Sequence, residues 1–439
     1  MIKILWVAIV LLISYVKCQS QPLILTNLLN SGNYQDAQTQ SRVTLSEFPN
    51  IESYSGYFKV SEASNSNLFF WFFKSENNFE TNPVILNIQG GPGLSSLVSL
   101  YLEIGPFNIT PSGNVVESLH SWTKMASVIF IDNPVNTGFS FGDVLPTNLN
   151  EITQGLHEGV KQFYKLFPQL RTNKFYIMGE SYAGKYVPRL GKMIHQANSP
   201  NSNENINIRG IAVGNGMTDP LHQSKYCDFF YHTGLCDNHC ITYCREREIA
   251  MVEHVQAGEY DLGRIASSDL LDRFVQSSGY SNFYNFLEQN GPNAPLEERL
   301  ITYLSGDSIK SALHVGSTRF ELYNVNVAPG LTDYFEPIPQ DVEYLLGVVD
   351  VLIYNGQYDI VIPYVSTVNY LRNLNFDGST LYRYGDRTVW RMNGDVVGYV
   401  TKANRLTEVL IRNAGHMSPM DQPLVAYTMM EKFINNGTF

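Results

Sequence analysis

Apolar residues recur along the chain at two spacings, and the two alternate. Residues 56–60 and 68–73, the second reading Leu68-Phe69-Phe70-Trp71-Phe72-Phe73, predict consecutive strands joined by a Ser/Asn turn. Residues 83–88 and 127–132 predict two more strands, the first running straight into Gly90-Gly91-Pro92-Gly93. Ile152, Leu156, Val160, Phe163, Tyr164 and Phe167 then fall at helical spacing across 151–167. A short buried strand follows at 174–178, a helix at 186–194 whose early Pro188 is tolerable, and a strand at 208–216. Strands alternating with helices predict an α/β fold with a mostly parallel central sheet covered on both faces. The pattern changes over 219–304, where a helical stretch near 241–260 and aromatic-rich turns around 280–286 predict a largely helical cap inserted into the core. Strand signals return at 348–354 and 408–411. The core is thus expected in two parts, 19–218 and 305–439, with no internal repeat.

Length and composition allow this reading. The 439 residues, 44% hydrophobic and 13% aromatic, can bury a large core, as one domain with an insertion or as two or three smaller ones. Residues 1–18 pair Lys3 with an uncharged apolar run and end at Cys18, the pattern of a cleaved secretory signal, with an uncleaved anchor as the alternative. Loss of Lys3 and Lys17 would leave 28 basic against 41 acidic residues, so the formal charge moves from −11 to −13. An acidic surface disfavours nucleic acid and anionic membranes as partners, and no later segment is apolar enough to span a bilayer. The expected location is the secretory pathway, ending outside the cell or in an acidic, lysosome-like compartment. A homodimer is left open.

Four cysteines remain after the signal, Cys227, Cys236, Cys240 and Cys244, all in one window. In a secreted chain they predict two disulfides, with three pairings open. A nested arrangement would join Cys227 to Cys244 and Cys236 to Cys240. Zinc binding with His232 or His239 is the alternative, but the spacing lacks paired C-x-x-C knuckles, and no metal or cofactor is expected. Asn108-Ile109-Thr110 and Asn436-Gly437-Thr438 are glycosylation sequons that matter only on the secretory route.

The chemistry centres on Gly179-Glu180-Ser181-Tyr182-Ala183-Gly184, where a strand turns into a helix and small residues flank a serine. That is the pattern of a nucleophile elbow, which pushes the hydroxyl out above the sheet. Such a serine needs a base, and the base needs an orienting acid. Of nine histidines, His416 lies in a Gly-flanked loop after a strand, and Asp359 follows another strand through Asn355-Gly356-Gln357-Tyr358. The order Ser181, Asp359, His416 is that of α/β hydrolases. Gln89-Gly90-Gly91-Pro92-Gly93 lacks the Lys-Ser/Thr pair of a phosphate loop; in a hydrolase, the amides of Gly91 and Tyr182 would form an oxyanion hole.

The chain resembles the serine carboxypeptidases, most closely their vitellogenic-like branch, over roughly residues 50–435. The resemblance rests on the segments beginning at Gln89, Asp132, Thr137, Gly179 and Asn355, and on Gly415-His416 with Asp421-Gln422-Pro423. It implies an α/β-hydrolase fold and a serine-type carboxypeptidase that releases C-terminal residues from peptides and proteins through an acyl-enzyme. It also implies that Gln89, Gly90, Glu103 and Glu180 bind the substrate's free carboxylate. Two glutamates sharing a proton cannot both ionise, so one should have a raised pKa and hydrolysis should favour acidic pH. An acyltransferase of the same fold and a non-catalytic binding or protective protein are the alternatives. Three positions depart from the family pattern. Asn87 stands where tryptophan is usual, Gln89 replaces asparagine as the vitellogenic-like branch also does, and Leu94 replaces a disulfide cysteine.

Overall fold

The computed structural model describes residues 21–288 and 294–439, so the 1–18 signal lies outside the described residues. Its strands are β1 (Arg42–Val43), β2 (Ser53–Ser61), β3 (Ser66–Phe73), β4 (Val84–Ile88), a separate hairpin β5 (Phe107–Ile109) and β6 (Val115–Glu117), β7 (Ser127–Ile131), β8 (Phe175–Glu180), β9 (Ile208–Gly214), β10 (Asp350–Gly356), β11 (Thr388–Met392), β12 (Asp395–Ala403) and β13 (Leu406–Ile411). Eleven of them form one sheet in the order β1-β2-β3-β7-β4-β8-β9-β10-β13-β12-β11. From β7 to β13 every neighbouring pair is parallel, and antiparallel strands finish both edges.

Continuous apolar runs belong in strands buried on both faces, and β3 shows the division of labour. Leu68, Phe70 and Phe72 enter the hydrophobic cluster on one face, while Phe69, Trp71 and Phe73 enter the cluster on the other. Helices α1 (Leu97–Leu102), α2 (Leu149–Leu166) and α3 (Ala183–Ala197) cover the sheet. The expected helix at 151–167 starts two residues earlier because the Asn148 side chain accepts from the Glu151 amide and caps it. Pro188 lies inside α3, where a proline frees the carbonyl four residues back. Thr218 Oγ1 donates to that Gly184 carbonyl at 2.8 Å, which explains why the helix runs through.

Between β9 and β10 the chain is helical among the described residues. The helical stretch expected near 241–260 corresponds to α4 (Asn238–Gln256), and a second helix that was not expected, α5 (Tyr260–Ser278), follows it. Gly258, at φ +76°, breaks them, and the Gly258 and Glu259 amides donate back to Val255 and His254 carbonyls. Phe230, Met251, Val255, Leu270 and Phe274 join the same core cluster as the sheet. The cysteines are paired Cys227–Cys244 and Cys236–Cys240, the nested arrangement, so no thiolate is left for zinc. Two strands, β11 and β12, occupy a stretch where none was expected.

Candidate active site

Parallel pairing brings the ends of β4, β8, β10 and β13 to one edge of the sheet, and the candidate residues leave from those ends. Ser181 follows β8 directly and has φ +61°, a left-handed conformation that a non-glycine residue adopts only under constraint. Its amide donates to Gly214 O at 3.0 Å, and its carbonyl accepts from Gly184 and Met217 at 2.9 and 3.0 Å. The flanking glycines are required by space. A Cβ at Gly179 would lie 2.5 Å from Ile88 O, and one at Gly184 2.7 Å from Met217 N. A Cβ at Gly90 would lie 2.6 Å from Tyr182 N and 2.8 Å from Ser181 Cβ, so the loop after β4 presses its bare backbone onto the elbow. Gly91, at φ +106°, turns that loop.

Asp359 and His416 are both buried, and His416 Nδ1 lies 2.9 Å from Asp359 Oδ2. The Val361 amide donates to Asp359 Oδ1 at 2.8 Å. Asn215, fully buried just beyond β9, donates to Asp359 Oδ2 at 2.7 Å, while its Oδ1 accepts from Ser418 Oγ at 3.0 Å and Gly356 N at 3.2 Å. A carboxylate held by three donors leaves the imidazole one orientation, with Nε2 as its free nitrogen. Tyr284, from the segment between β9 and β10, stacks on the His416 ring at 5.1 Å and 16°, and its carbonyl accepts from the His416 amide at 2.6 Å.

The second cluster lies beside the elbow. Gln89 Nε2 donates to Glu103 Oε1 and Ser99 Oγ, both at 3.0 Å, and Gln89 Oε1 accepts from Gly90 N at 2.9 Å. Ser99 Oγ donates to Glu103 at 3.1 Å, and Tyr354 Oη to Glu180 Oε1 at 2.8 Å. Burial raises the pKa of Glu103, against hydrogen bonds from Glu180, Ser99 and Gln89 that lower it. Burial and then the Glu103 charge push Glu180 well above the usual carboxylate range. Glu180 Oε2 meets no ordinary donor among the described residues, and a proton shared with Glu103 satisfies both carboxyls. Asp132 stations α1, and with it Glu103: its Oδ1 accepts from Ser95 Oγ at 2.6 Å and Ser96 N at 3.0 Å, its Oδ2 from Phe139 N at 2.9 Å.

Two of the departures have visible consequences. Leu94, in place of a cysteine, forms a bridge with Tyr323, and backbone hydrogen bonds Ser95 N to Leu322 O and Asn324 N to Gly93 O, both 2.9 Å, tie the loop down. Asn87 is buried, and its Nδ2 has no partner among the described residues. Sequence reasoning missed Asn215, Ser418, Ser99 and Tyr354. Only Asn215 carried a readable signal, a polar residue between Gly214 and Gly216 at a strand's end.

A serine on a strained strand-to-helix turn, with an Asp–His pair at the same sheet edge of an α/β-hydrolase fold, defines a serine hydrolase. The serine carboxypeptidase family model matches residues 44–436, and the chain belongs to that family. It is a serine-type carboxypeptidase, a hydrolase of peptide bonds. It is 38% identical to the vitellogenic carboxypeptidase of Aedes aegypti, over 95% of this chain and 90% of that one. It is 35% identical to the probable serine carboxypeptidase CPVL of Homo sapiens, over 94% and 90%. Among solved structures it is similar to KEX1(DELTA)P, a prohormone-processing carboxypeptidase from Saccharomyces cerevisiae, with a TM-score of 0.80 at 24% identity over 91% and 96% of the chains; that likeness shows the fold.

Proposed function

We propose that Ser181 is the nucleophile, His416 the general base and Asp359 its orienting acid. Ser181 Oγ attacks the last peptide carbonyl while His416 Nε2 takes its proton, and the amides of Gly91 and Tyr182 donate to the oxyanion. His416 returns the proton to the departing amino acid, and water, activated the same way, hydrolyses the acyl-enzyme. Gln89, Gly90, Glu103 and Glu180 hold the free carboxylate. The protonated glutamate pair donates to that carboxylate, and the ionised pair repels it, so activity is greatest in acid. The buried Glu103–Glu180 pair against the elbow carries this reading, because an endopeptidase has no use for it. The described residues of 219–304 form a cap over the site, a reading supported by Tyr284 on His416.

The two disulfides support passage through the secretory pathway to an extracellular or acidic compartment. Among the described residues, no helix is long and apolar enough to cross a membrane. Glycans at Asn108 and Asn436 fit that route, since Asn436 is exposed and Asn108 half-buried in the β5–β6 hairpin. The test is release of C-terminal residues from blocked dipeptides near pH 5, with loss in Ser181→Ala. Correctly folded protein inactive from pH 4 to 8 would overturn the proposal.

A further inference from the structure

After α5 the chain carries Asn282-Phe283-Tyr284-Asn285-Phe286, an aromatic-rich turn without the apolar period of a helix or strand. Its two asparagines fold it locally: Asn282 Oδ1 accepts from Tyr284 N at 2.9 Å, and Asn285 Oδ1 from Leu287 N at 3.1 Å. Its phenylalanines root it in the cap. The Phe283 ring packs 6.3 Å from that of Phe274 in α5. The Phe286 ring packs 5.9 Å from that of Phe229 in the helix Cys227–His232, which the Cys227–Cys244 disulfide joins to α4.

The same segment grips both loops that carry the Asp–His pair. Ile360 N donates to Phe283 O and Phe286 N to Tyr358 O, both at 3.1 Å, so the residues on either side of Asp359 are held. His416 N donates to Tyr284 O at 2.6 Å, with the Tyr284 ring stacked on its imidazole. Asn285, only 8% exposed, donates from Nδ2 to Asp421 Oδ2 at 3.1 Å, and the same oxygen accepts from Gly415 N at 2.7 Å. The two amides leading into the imidazole thus end on this segment, one directly and one through Asp421. Gly415 has no room for a side chain there: a Cβ would lie 2.1 Å from Tyr284 O and 2.8 Å from Asn285 Cβ. Tyr358 N donates to Ala414 O at 2.8 Å and closes the two loops on each other.

We infer that residues 283–286 are a strap that couples the cap to the catalytic pair, and that Asn285 is a positioning residue which holds the His416 loop through Asp421. The inference rests on the reading of Ser181, Asp359 and His416 as a triad. A cover needs only apolar contact, whereas hydrogen bonds on both sides of Asp359 and to the His416 amide fix the direction of Nε2. Asp421 is the charged link. Burial raises its pKa, the Gly415 amide and Asn285 lower it, and the Glu288 and Asp359 charges raise it.

The test is the rate at which diisopropyl fluorophosphate labels Ser181, which needs the base but not the carboxylate-binding group. Asn285→Ala should slow labelling about tenfold or more. Asp421→Ala should slow it at least as much, and the double variant no more than Asp421→Ala alone. A wild-type rate in Asn285→Ala, or losses that simply multiply in the double variant, would overturn the inference. If Asn285→Ala does not fold, the isosteric Asn285→Asp decides. There a proton shared with Asp421 restores the contact in acid, and two ionised carboxylates repel at higher pH. Its rate relative to wild type should therefore fall from pH 5 to 8, and a ratio independent of pH would overturn the inference. Labelling that disappears in Ser181→Ala shows in the same assay that the triad reading stands. A folded wild type that is not labelled would remove that reading and the inference with it.

Discussion

Replacing Glu180 by glutamine should uncouple carboxylate binding from pH. Both members of the pair are buried, and both have raised pKa values, Glu180 the more strongly because the Glu103 charge adds to its burial. In acid the pair has a proton to donate to the substrate carboxylate, a charge-assisted hydrogen bond of about 1.5–3 kcal/mol. Once that proton is lost, two unit charges roughly 4 Å apart repel by about 4 kcal/mol at an effective dielectric near 20. Taken one at a time, these correspond to a fall of about 10- to 10³-fold in kcat/KM as pH rises through the pair's titration. In Glu180→Gln, Oε1 still accepts from Tyr354 and Nε2 donates to Glu103 and to the substrate at every pH. The assay compares a blocked dipeptide acid with its C-terminal amide from pH 4 to 8. In the wild type the acid-to-amide ratio should fall steeply with rising pH; in Glu180→Gln it should be nearly flat. Stability gives an independent check. A carboxyl with a raised folded pKa contributes stability that is fully present below the unfolded value of 4.5 and is lost as pH rises through the folded one. The wild type should therefore lose stability above that value and the variant should lose less. An acid-to-amide ratio independent of pH in the wild type, or equally steep in the variant, would refute the shared-proton argument.

Asn215→Ala removes a donor to Asp359 and the acceptor for Ser418, so kcat should fall about 10- to 100-fold with KM little changed; steady-state kinetics on one dipeptide decides it, and wild-type kcat would exclude the role. Asn87→Leu exchanges an unpartnered buried amide for an apolar group of similar size and should stabilise the fold by about 1 kcal/mol, read by denaturant midpoint. A decrease would mean that the amide has a partner. Opening Cys227–Cys244, which spans 17 residues, by a double serine substitution should cost about 3 kcal/mol. The same change at Cys236–Cys240, four residues apart, should cost clearly less, and thermal denaturation of the two variants compares them.

What could be read from the chain depends on how locally each feature is encoded. The elbow, the loop after β4 and the positions of Asp359 and His416 are local: each needs a strand, a turn and small residues within a few positions. Parallel pairing then assembles them without further instruction, since the C-terminal ends of parallel strands share one edge. The Asn393-Gly394 turn between β11 and β12, with φ values of 50° and 93° that this dipeptide favours, went unread. Its flanking strands mix exposed with buried positions and lacked the continuous apolar runs that marked the fully buried ones. Gly258 was not read as the stop of α4, because a lone glycine is not decisive within a helical stretch.

The support around the site is another matter, because its partners are far apart in sequence. Asn215 meets Asp359 across 144 positions, and Tyr354 meets Glu180 across 174. No local pattern distinguishes Tyr354 from any other tyrosine in a buried strand, yet its hydroxyl decides which oxygen of Glu180 is left to share a proton. Motifs therefore name the groups that touch substrate, while the groups that set their protonation and direction emerge only once the sheet order is known. Asn87 shows the cost of that division: its neighbours Leu86 and Ile88 face one core and Asn87 the other, beside Phe130 and Met178 across the sheet. An amide there leaves a buried Nδ2 without a partner among the described residues in the strand that leads to Gln89, and the Asn87→Leu denaturant midpoint tells whether it weakens the fold.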